Sequence, residues 1–338
     1  MKKIIALAMA LILALSLAAC GGAAAPAPAP APEAAPAPEA APAPEAAPAP
    51  EAAPAEKLSI GATFYSLQNE FTMRMDNAAK KWAEENGVDY VGYDGNYDAA
   101  TQLSQVETMI NNGVDAIILN PHDADACAAC VEVAHAAGIP VIGVNTMVNS
   151  ELLTSYVGSL DVSAGEDIMN KMIEHMGNAE FNIVIIEGPM GQSAQLQRNE
   201  GIYNVLAENP GIKVLAIDTA NWSRSEAMTL METWLFTYGD EIDAVIGEND
   251  EMALGARQAI VAAGYDIPCI GVDGIADAVT AVSTGDMIAS DFQNAEGQMT
   301  GALDAAVTVI NGGSVEKEIW IPFEMITPDN YEEYVNKY

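Results

Sequence analysis

The chain has 338 residues, half of them hydrophobic, and its formal net charge at pH 7 is −35. Nucleic acids and anionic bilayers are bound through clustered cations, so this balance argues against a nucleic-acid partner and against direct docking on a membrane surface. The acidic residues are interpreted as a solvated surface. Residues 57–338 suffice for one large domain or for two of ordinary size.

The first twenty residues have the organisation of a secretory signal. Two lysines precede an apolar run at 4–17, and small residues follow it. The run is too short to span a bilayer, so residues 1–20 are predicted to be a signal peptide. Cys20 directly follows Leu-Ala-Ala, which resembles the bacterial lipobox. That resemblance implies cleavage before Cys20, lipidation of this residue, and an extracytoplasmic protein attached to the cell membrane only through the lipid.

Residues 21–56 consist almost entirely of alanine, proline and glutamate. Glutamates recur every six residues, from Glu33 to Glu51, within a Pro-Ala-Pro-Glu-Ala-Ala repeat. Proline at alternate positions removes backbone donors that a helix or a sheet needs, and the repeat has no apolar surface to bury. The segment is predicted to be a disordered, extended spacer with no ligand of its own.

From residue 57 onward, continuous apolar runs alternate with amphipathic stretches. The runs predict strands at 58–65, 88–93, 115–120, 140–145, 181–187, 213–219, 243–247, 267–273 and 287–292. The amphipathic stretches predict helices at 70–86, 99–112, 123–137, 162–176, 194–208, 223–236, 250–263 and 294–310. Strands that are apolar throughout are typical of a sheet covered on both faces. The repeated strand–helix order therefore predicts a doubly wound, parallel α/β fold.

Two segments of the folded part have nearly the same sequence. Pro-Val-Ile-Gly-Val at 140–144 is followed by Asn145, and Pro-Cys-Ile-Gly-Val at 268–272 is followed by Asp273. The repeat predicts two similar α/β lobes, each of which ends a strand with a polar side chain. In open α/β sheets ligands bind at the carboxyl ends of strands, so we expect the site in a cleft between the lobes.

Three cysteines lie in the folded part. Cys127 and Cys130 form one C-x-x-C in an alanine-rich helical stretch, and Cys269 lies in an apolar strand. They are interpreted as small buried hydrophobic residues, because a zinc or redox site would need a second ligand pair or a helix start beside a strand. A Cys127–Cys130 disulfide in an oxidising compartment is the alternative. A metal site with His122 and His135 is disfavoured, and no metal or cofactor is predicted.

Six motifs follow one another along the folded part. They are Tyr65-x-x-x-Asn69-Glu-Phe71, Asn120-Pro-x-Asp-Ala-Asp125, Ile139-Pro-Val-Ile142, Gly191-x-Ser-Ala-x-x-x-Arg198-x-x-Gly201, Glu248-Asn-Asp-Glu-Met-Ala-Leu-Gly-Ala256 and Gly271-Val-Asp-Gly274. Each is weak alone. Together, their order and spacing over about 57–326 resemble those of the type I periplasmic binding proteins, in particular the ribose and glucose/galactose receptors.

The resemblance implies two doubly wound parallel-sheet lobes joined by a three-crossover hinge. The crossovers are expected near 159–161, 291–294 and 316–320. The N-terminal lobe would contain 57–160 and 293–318, and the C-terminal lobe would contain 161–292 and 319–338. A monomer that binds a sugar between the lobes is expected.

The family's ligand contacts can be transferred to this chain at the matching motif positions. The residues implied to bind ligand are Asn69, Phe71, Asn145, Arg198, Trp222, Asn249, Asp273 and Gln293, with Tyr65 and Gln192 as secondary candidates. Paired amide, carboxylate and guanidinium groups suit the edge hydroxyls of a sugar, and flat aromatic rings suit its C–H faces. No catalytic residue is implied.

Each assignment has a structural alternative. For Phe71 it is a core position of the first helix, and for Trp222 it is packing at the start of the helix near 223. Asn249 and Asp273 both lie at strand-to-helix turns, where such residues cap helices. The alternative for Arg198 is a solvated position on a helix.

Departures from both receptor types leave the ligand class broad. Ribose receptors usually have Asp-Arg where this chain has Asn145-Thr146, and two adjacent aromatic residues where it has Phe71-Thr72. Glucose/galactose receptors have Asp in place of Asn69, and their calcium loop is not recognisable here. The expected ligand is therefore a neutral monosaccharide, or a related polyol or deoxysugar.

The predicted function is that of a substrate-binding lipoprotein that closes on sugar and delivers it to the permease of an ABC transporter. The alternatives are a sensory or chemotaxis receptor and a receptor for a small signalling ligand, which would have the same fold and cleft. An enzyme is disfavoured, because the chain has no G-x-S-x-G, P-loop or G-x-G-x-x-G motif.

Overall fold

The computed structural model describes residues 57–337. The predicted signal peptide, Cys20 and the predicted spacer lie outside this range. Within it, no helix combines the length and the apolar character needed to cross a membrane. The described chain folds into two α/β lobes, each built on a six-stranded sheet.

The sheet of the N-terminal lobe is parallel throughout. Its strand order is β11-β5-β4-β3-β1-β2. The strands are β1 (Ser59–Phe64), β2 (Asp89–Asp94), β3 (Ala116–Asn120), β4 (Val141–Val144), β5 (Ser155–Gly158) and β11 (Glu318–Trp320). The helices of this lobe are α1 (Glu70–Asn86), α2 (Ala99–Asn111), α3 (Ala128–Ala136) and α9 (Ala295–Ile310). α1 packs with α9 and α2 packs with α3, and separate hydrophobic clusters on these helices cover the two faces of the sheet.

The C-terminal lobe repeats this plan with one antiparallel edge. Its strand order is β12-β10-β9-β8-β6-β7, and only β12 runs antiparallel to its neighbour. The strands are β6 (Asn182–Glu187), β7 (Lys213–Thr219), β8 (Ala244–Gly247), β9 (Cys269–Asp273), β10 (Ala289–Phe292) and β12 (Glu324–Ile326). The helices are α4 (Asp161–Met176), α5 (Ser193–Glu208), α6 (Arg224–Tyr238), α7 (Asp250–Ala262) and α8 (Ala276–Thr284). The doubly wound parallel fold predicted from the apolar runs is thus confirmed in both lobes.

The chain crosses between the sheets three times. Two crossings, between β5 and α4 and between β10 and α9, lie where the sequence placed them. The third lies at 321–323, later than the expected 316–320. The reason is that Glu318, Ile319 and Trp320 pair with β5 and the Trp320 ring packs on Tyr156, with 5.6 Å between ring centroids. Residues 319–320 therefore belong to the sheet of the N-terminal lobe, and not to the C-terminal lobe as predicted.

The strands β5 and β11 and the helix α8 escaped sequence prediction, and the residues of β11 had been expected in a crossover. The strand β5 has only four residues, Ser-Tyr-Val-Gly, and its short length hid it although all four are buried. The helix α8 is a nine-residue stretch rich in Ala, Val and Thr, which lacks a strong polar face. In addition, the helix expected at 123–137 begins only at Ala128, because the preceding residues form turns. Cys127, Cys130 and Cys269 are buried free thiols.

Candidate functional site

A small enclosed cavity lies between the lobes, at the carboxyl ends of strands from both sheets. Its empty volume, including solvent at its opening, is about 260 Å³. It is lined by Tyr65, Phe71, Asn145, Thr146, Gln192, Ala194, Arg198, Trp222, Asn249, Asp273 and Gln293. The structure therefore brings together nine of the ten predicted site residues, and Asn69 is the one that does not line this cavity.

Asn145 forms the N-terminal lobe's polar wall. It follows β4 with φ +64°, a left-handed conformation that asparagine tolerates better than most residues. Its Oδ1 accepts from Asn120 Nδ2 at 3.2 Å, and its Nδ2 donates to Gln298 Oε1 at 3.2 Å. The Tyr156 hydroxyl donates to its backbone oxygen at 2.6 Å. The amide is thus fixed in orientation while each polar atom keeps capacity for one more hydrogen bond.

The aromatic wall of the N-terminal lobe comes from the start of α1. Phe71 is 5% exposed and lies in the first turn, and it lines the cavity together with buried Tyr65. Asn69 is the N-cap of this helix, and its Oδ1 accepts from the backbone N of Thr72 at 3.0 Å. Its Nδ2 donates to the Tyr65 hydroxyl at 3.1 Å. Asn69 therefore positions the two aromatic rings, and its own side chain faces a second cavity described below.

Arg198 is the cation of the site and is almost fully buried. Its Nε donates to Asp161 Oδ1 at 2.9 Å, one guanidinium nitrogen donates to the Glu248 backbone oxygen at 2.5 Å, and another donates to Gln293 Oε1 at 3.3 Å. The guanidinium carbon lies 5.5 Å from the centre of the Trp222 ring system. The solvated alternative for Arg198 is thereby excluded.

Two glycines allow the helices α4 and α5 to bring Asp161 and Arg198 together. A Cβ at Gly165 would collide with the backbone oxygen of Arg198, and a Cβ at Gly201 would collide with that of Val162. This close approach sets the ion pair at the start of α4, directly after the first crossing.

Trp222 supplies the aromatic wall of the C-terminal lobe and has φ +59°. Its ring lies against Gly188, where a Cβ would overlap the indole. The indole Nε1 donates to Gln192 Oε1 at 2.5 Å, and Gln192 Nε2 donates to the backbone oxygen of Pro121 at 3.3 Å. Because Pro121 belongs to the other lobe, Gln192 connects the ring with the opposite side of the cleft.

Further hydrogen bonds hold the lobes in contact at this edge. Ala124 N donates to the Gly191 backbone oxygen at 3.1 Å, and Met147 N donates to Ser193 Oγ at 2.6 Å. Both join the N-terminal lobe to the start of α5. The described structure is therefore a closed arrangement, in which the lobes touch at this edge of the small cavity.

Asn249 and Asp273 occupy similar turns but use their side chains differently. Asn249 caps α7, with Oδ1 accepting from Met252 N at 2.9 Å, so its Nδ2 is the group left for the cavity. Asp273 caps no helix, because α8 has Ile275 as its N-cap. The Asp273 turn is held by Asp250, which accepts from Ser290 Oγ at 2.7 Å and from Ile275 N at 3.1 Å.

The cavity contains one polar group without a partner among the described residues and one buried carboxyl. Gln293 Nε2 is buried and makes no hydrogen bond within residues 57–337. Burial raises the pKa of the Asp273 carboxyl well above its usual range, although nearby Arg198 opposes the shift. Buried polar groups are normally hydrogen-bonded. An unpaired amide donor beside a desolvated carboxyl therefore forms a site suited to a ligand that both accepts and donates hydrogen bonds.

Asp291, below the cavity in β10, gives a test of this electrostatic environment. It is 1% exposed, and its Oδ2 has no hydrogen-bond partner in the described range. Burial, with smaller contributions from Asp167 and Asp161 and against the opposing effect of Arg198, raises the pKa of Asp291 to about 8. Between the unfolded-state pKa of about 3.9 and the folded-state pKa, the Asp291 carboxyl is therefore protonated in the folded protein and ionised in the unfolded chain.

The free energy of unfolding is accordingly expected to fall as pH rises through Asp291's folded-state pKa of about 8. A raised carboxyl pKa gives stability that is complete below the unfolded pKa and is lost at higher pH. The variant Asp291→Asn should reduce this loss by about 1–3 kcal/mol between pH 5.5 and pH 8.5. Urea denaturation at both pH values measures it, and Asp240→Asn at an exposed position is the control. An unchanged pH dependence in Asp291→Asn would show that Asp291 is already ionised in the folded state.

A larger, solvent-open cavity lies at the entrance of the cleft, and we call it the mouth cavity. Its empty volume, including solvent at the open side, is about 1340 Å³. It is lined by Gln68, Asn69, Tyr97 and His122 from the N-terminal lobe and by Asn221, Trp222, Ser223, Arg224, Ser225, Glu226, Met228, Glu251 and Gln258 from the C-terminal lobe. Trp222 lines both cavities.

Sequence reasoning missed several residues of the site. Thr146 and Ala194 line the enclosed cavity. Thr146 directly follows the predicted Asn145, and Ala194 lies two positions after the predicted Gln192. Asp161, Asn120 and Gln298 hold Arg198 and Asn145 in place. Asn120 begins one of the six sequence motifs, and that position could have indicated its role. Nothing in the sequence around Asp161 marks it as the partner of Arg198.

The sequence matches the family model described as a periplasmic binding protein domain over residues 60–314. The chain belongs to the periplasmic binding protein family. Its two parallel-sheet lobes agree with the type I architecture of the solved sugar-binding members.

Several characterised relatives cover most of the chain. The xylitol-binding protein of Mycolicibacterium smegmatis is 39% identical over 274 residues, covering 81% of this chain and 78% of that protein. A putative rhizopine-binding protein of Rhizobium meliloti is 38% identical, covering 82% of this chain and 93% of that protein. The ribose import binding protein RbsB of Bacillus subtilis is 32% identical, covering 80% and 88% respectively.

Solved structures show the same similarity. An ABC transporter solute binding protein of Bacillus halodurans C-125 with bound myo-inositol has a TM-score of 0.79 and 37% identity, covering 83% of this chain and 98% of that one. The binding protein of an arabinose ABC transporter from Shewanella sp. ANA-3, bound to L-arabinofuranose, has a TM-score of 0.79 and 26% identity, covering 82% and 95%.

Proposed function

We propose that this protein is the extracytoplasmic substrate-binding component of an ABC importer and that it binds one neutral polyhydroxy molecule, a monosaccharide or a polyol, in the enclosed cavity. The observation that carries the proposal is that an unsatisfied amide donor, Gln293 Nε2, and the buried Asp273 carboxyl line a cavity whose aromatic walls, Phe71 and Trp222, come from opposite lobes. The hydroxyls of such a molecule would hydrogen-bond to these polar groups, and its C–H faces would pack on the aromatic walls.

The charges around the cavity support a neutral ligand. Arg198 is the cation of the cavity wall, and its guanidinium is already committed to Asp161, the Glu248 backbone and Gln293. An anionic sugar would find no unpaired positive charge there and would meet the buried carboxyl of Asp273. The ligands named for the relatives and the solved structures, xylitol, ribose, myo-inositol and arabinofuranose, are all neutral polyhydroxy compounds.

The closed arrangement supports delivery by hinge motion. Three crossings connect the lobes, and hydrogen bonds such as that from Gln192 to Pro121 hold them together at the far edge. Ligand that touches both lobes would stabilise the closed form, which a membrane permease would then recognise. We infer binding without chemical change to the ligand. We also propose that lipidated Cys20 and the spacer 21–56 keep the protein close to that permease.

A thermal-shift screen with xylitol, D-ribose, L-arabinose, myo-inositol and D-glucose tests the proposal. A true ligand at a hundred times its Kd should add about 2.7 kcal/mol to the free energy of unfolding, which appears as a raised Tm. D-Ribose 5-phosphate and D-glucuronate are the anionic controls and should give no shift. A shift with the anionic controls alone, or with none of the neutral compounds, would contradict the proposal.

A further inference from the structure

Two loops that face each other across the mouth cavity have the same construction. Residues 95–98 connect β2 to α2, and residues 220–223 connect β7 to α6. Each has a small residue, an asparagine, an aromatic residue and then the helix N-cap, which is Asp98 in one loop and Ser223 in the other. Tyr97 is thus the counterpart of Trp222 in the other lobe.

Both loops hold strained backbone conformations. Asn96 and Tyr97 have φ of +51° and +56°, and Asn221 and Trp222 have φ of +52° and +59°. Consecutive non-glycine residues in the left-handed region are unfavourable, and such strain is concentrated at ligand clamps and other functional positions. In the loop 220–223 the strain directs Trp222 to the enclosed cavity. The matching strain in 95–98 directs Tyr97 to the mouth cavity.

The surroundings of Tyr97 form a polar and aromatic surface. Its ring lies 5.7 Å from the Tyr65 ring and 6.0 Å, edge to face, from the His122 imidazole. Burial lowers the pKa of His122, so the imidazole is neutral near pH 7. His122 Nδ1 is buried and has no hydrogen-bond partner among residues 57–337. Tyr97 lines the mouth cavity, and an aromatic ring at this position suits the C–H face of a second sugar ring.

The charges of the mouth cavity exclude an anionic occupant. Arg224 is bound to Glu251 at 2.5 Å and to Asp277 at 2.8 Å, so its charge is balanced. Glu226 accepts from Asn221 Nδ2 at 2.8 Å and contributes a further negative charge. A phosphate or carboxylate group would therefore be repelled, whereas a neutral ring would not.

We propose that the mouth cavity is a second ligand subsite, in which a neutral ring joined to the polyol in the enclosed cavity passes the edge of Trp222 and stacks on Tyr97. This inference rests on the proposed function and extends its ligand class from single polyols to their neutral glycosides.

Calorimetric titration of matched ligand pairs tests the subsite. The pairs are myo-inositol with its O-galactoside galactinol, and D-glucose with its O-galactoside melibiose. The full chain should bind a galactoside at least as tightly as its parent. The variant Tyr97→Asn, chosen because asparagine tolerates the left-handed backbone, should lower the ratio of galactoside affinity to parent affinity at least five-fold. Tyr203→Asn, at a partly exposed position on α5, is the control and should leave the ratio unchanged.

The outcomes separate this inference from the proposed function. Binding of a parent with at least ten-fold weaker binding of its galactoside would overturn the subsite and leave the proposed function intact. An equal effect of Tyr97→Asn on both ligands would also overturn it, because Tyr97 would then support the enclosed cavity only. Binding of a galactoside without its parent would support the subsite. If no parent and no galactoside binds, both the polyol site and the subsite fail.

Discussion

Replacement of Arg198 by methionine is expected to lower the free energy of unfolding by about 3–5 kcal/mol and to abolish ligand binding. Arg198 is 3% exposed, and Asp161, its partner, is 1% exposed. Removing one member of a buried ion pair leaves the other as an uncompensated charge in a medium of low polarity. Methionine keeps most of the side-chain length, so the effect reports the lost charge and hydrogen bonds more than a cavity.

The replacement of Arg198 should also affect the ionisation of buried carboxyls other than Asp161. Arg198 lowers the pKa values of Glu248, Asp273 and Asp291, each of which burial raises. Without the guanidinium these carboxyls would be harder still to ionise, and the decline of stability with rising pH should become steeper. Urea denaturation at pH 6 and pH 8 measures both effects.

The double variant Arg198→Met with Asp161→Asn is the matched control. It removes the unpaired negative charge of Asp161 and should recover part of the lost stability, while ligand binding stays absent. If Arg198→Met alone costs less than about 1 kcal/mol, the ion pair is not a stabilising element of the C-terminal lobe. If Arg198→Met still binds ligand at wild-type affinity, Arg198 does not contribute to the ligand site.

Replacement of Trp222 by alanine is expected to weaken ligand binding at least ten-fold, which corresponds to about 1.4 kcal/mol. The indole presents a flat face to the cavity and, through Gln192, reaches Pro121 of the opposite lobe. Alanine removes both the stacking surface and this connection. Because the ring also packs in the core of the C-terminal lobe, the Tm should fall as well, so affinity must be measured where the variant is folded.

Two further variants separate these contributions. Trp222→Phe keeps an aromatic face but loses the Nε1 donor, so its affinity should lie between wild type and Trp222→Ala. Trp82→Ala, on α1 outside the cleft, should reduce stability through lost packing and its bond to Asp304 while leaving affinity unchanged. Titration calorimetry with the ligand found by thermal shift gives all three affinities. Wild-type affinity in Trp222→Ala would show that the indole face does not contact ligand.

The site residues that the sequence located share a local signal. Asn145 and Asp273 end two nearly identical apolar strands, and Asn249 follows another strand directly. Parallel strands of one sheet bring their carboxyl ends to one edge, so polar residues at those ends meet without further information. Side-chain direction was less predictable. The cap role expected as the alternative for Asn249 is present together with its cavity position, whereas Asp273 caps no helix and Asn69 faces the mouth cavity.

The sequence alone determined most of the elements and their order, because the period of apolar residues and the residues that end helices are local properties of the chain. Only the tertiary structure decided which groups became partners. Asp161 and Arg198 meet because α4 and α5 approach through Gly165 and Gly201, and Gln192 reaches Pro121 because the lobes are closed. Tyr97 became the counterpart of Trp222 because two loops of separate lobes face one cavity. Such pairings depend on packing between segments distant in the chain, which no local pattern encodes.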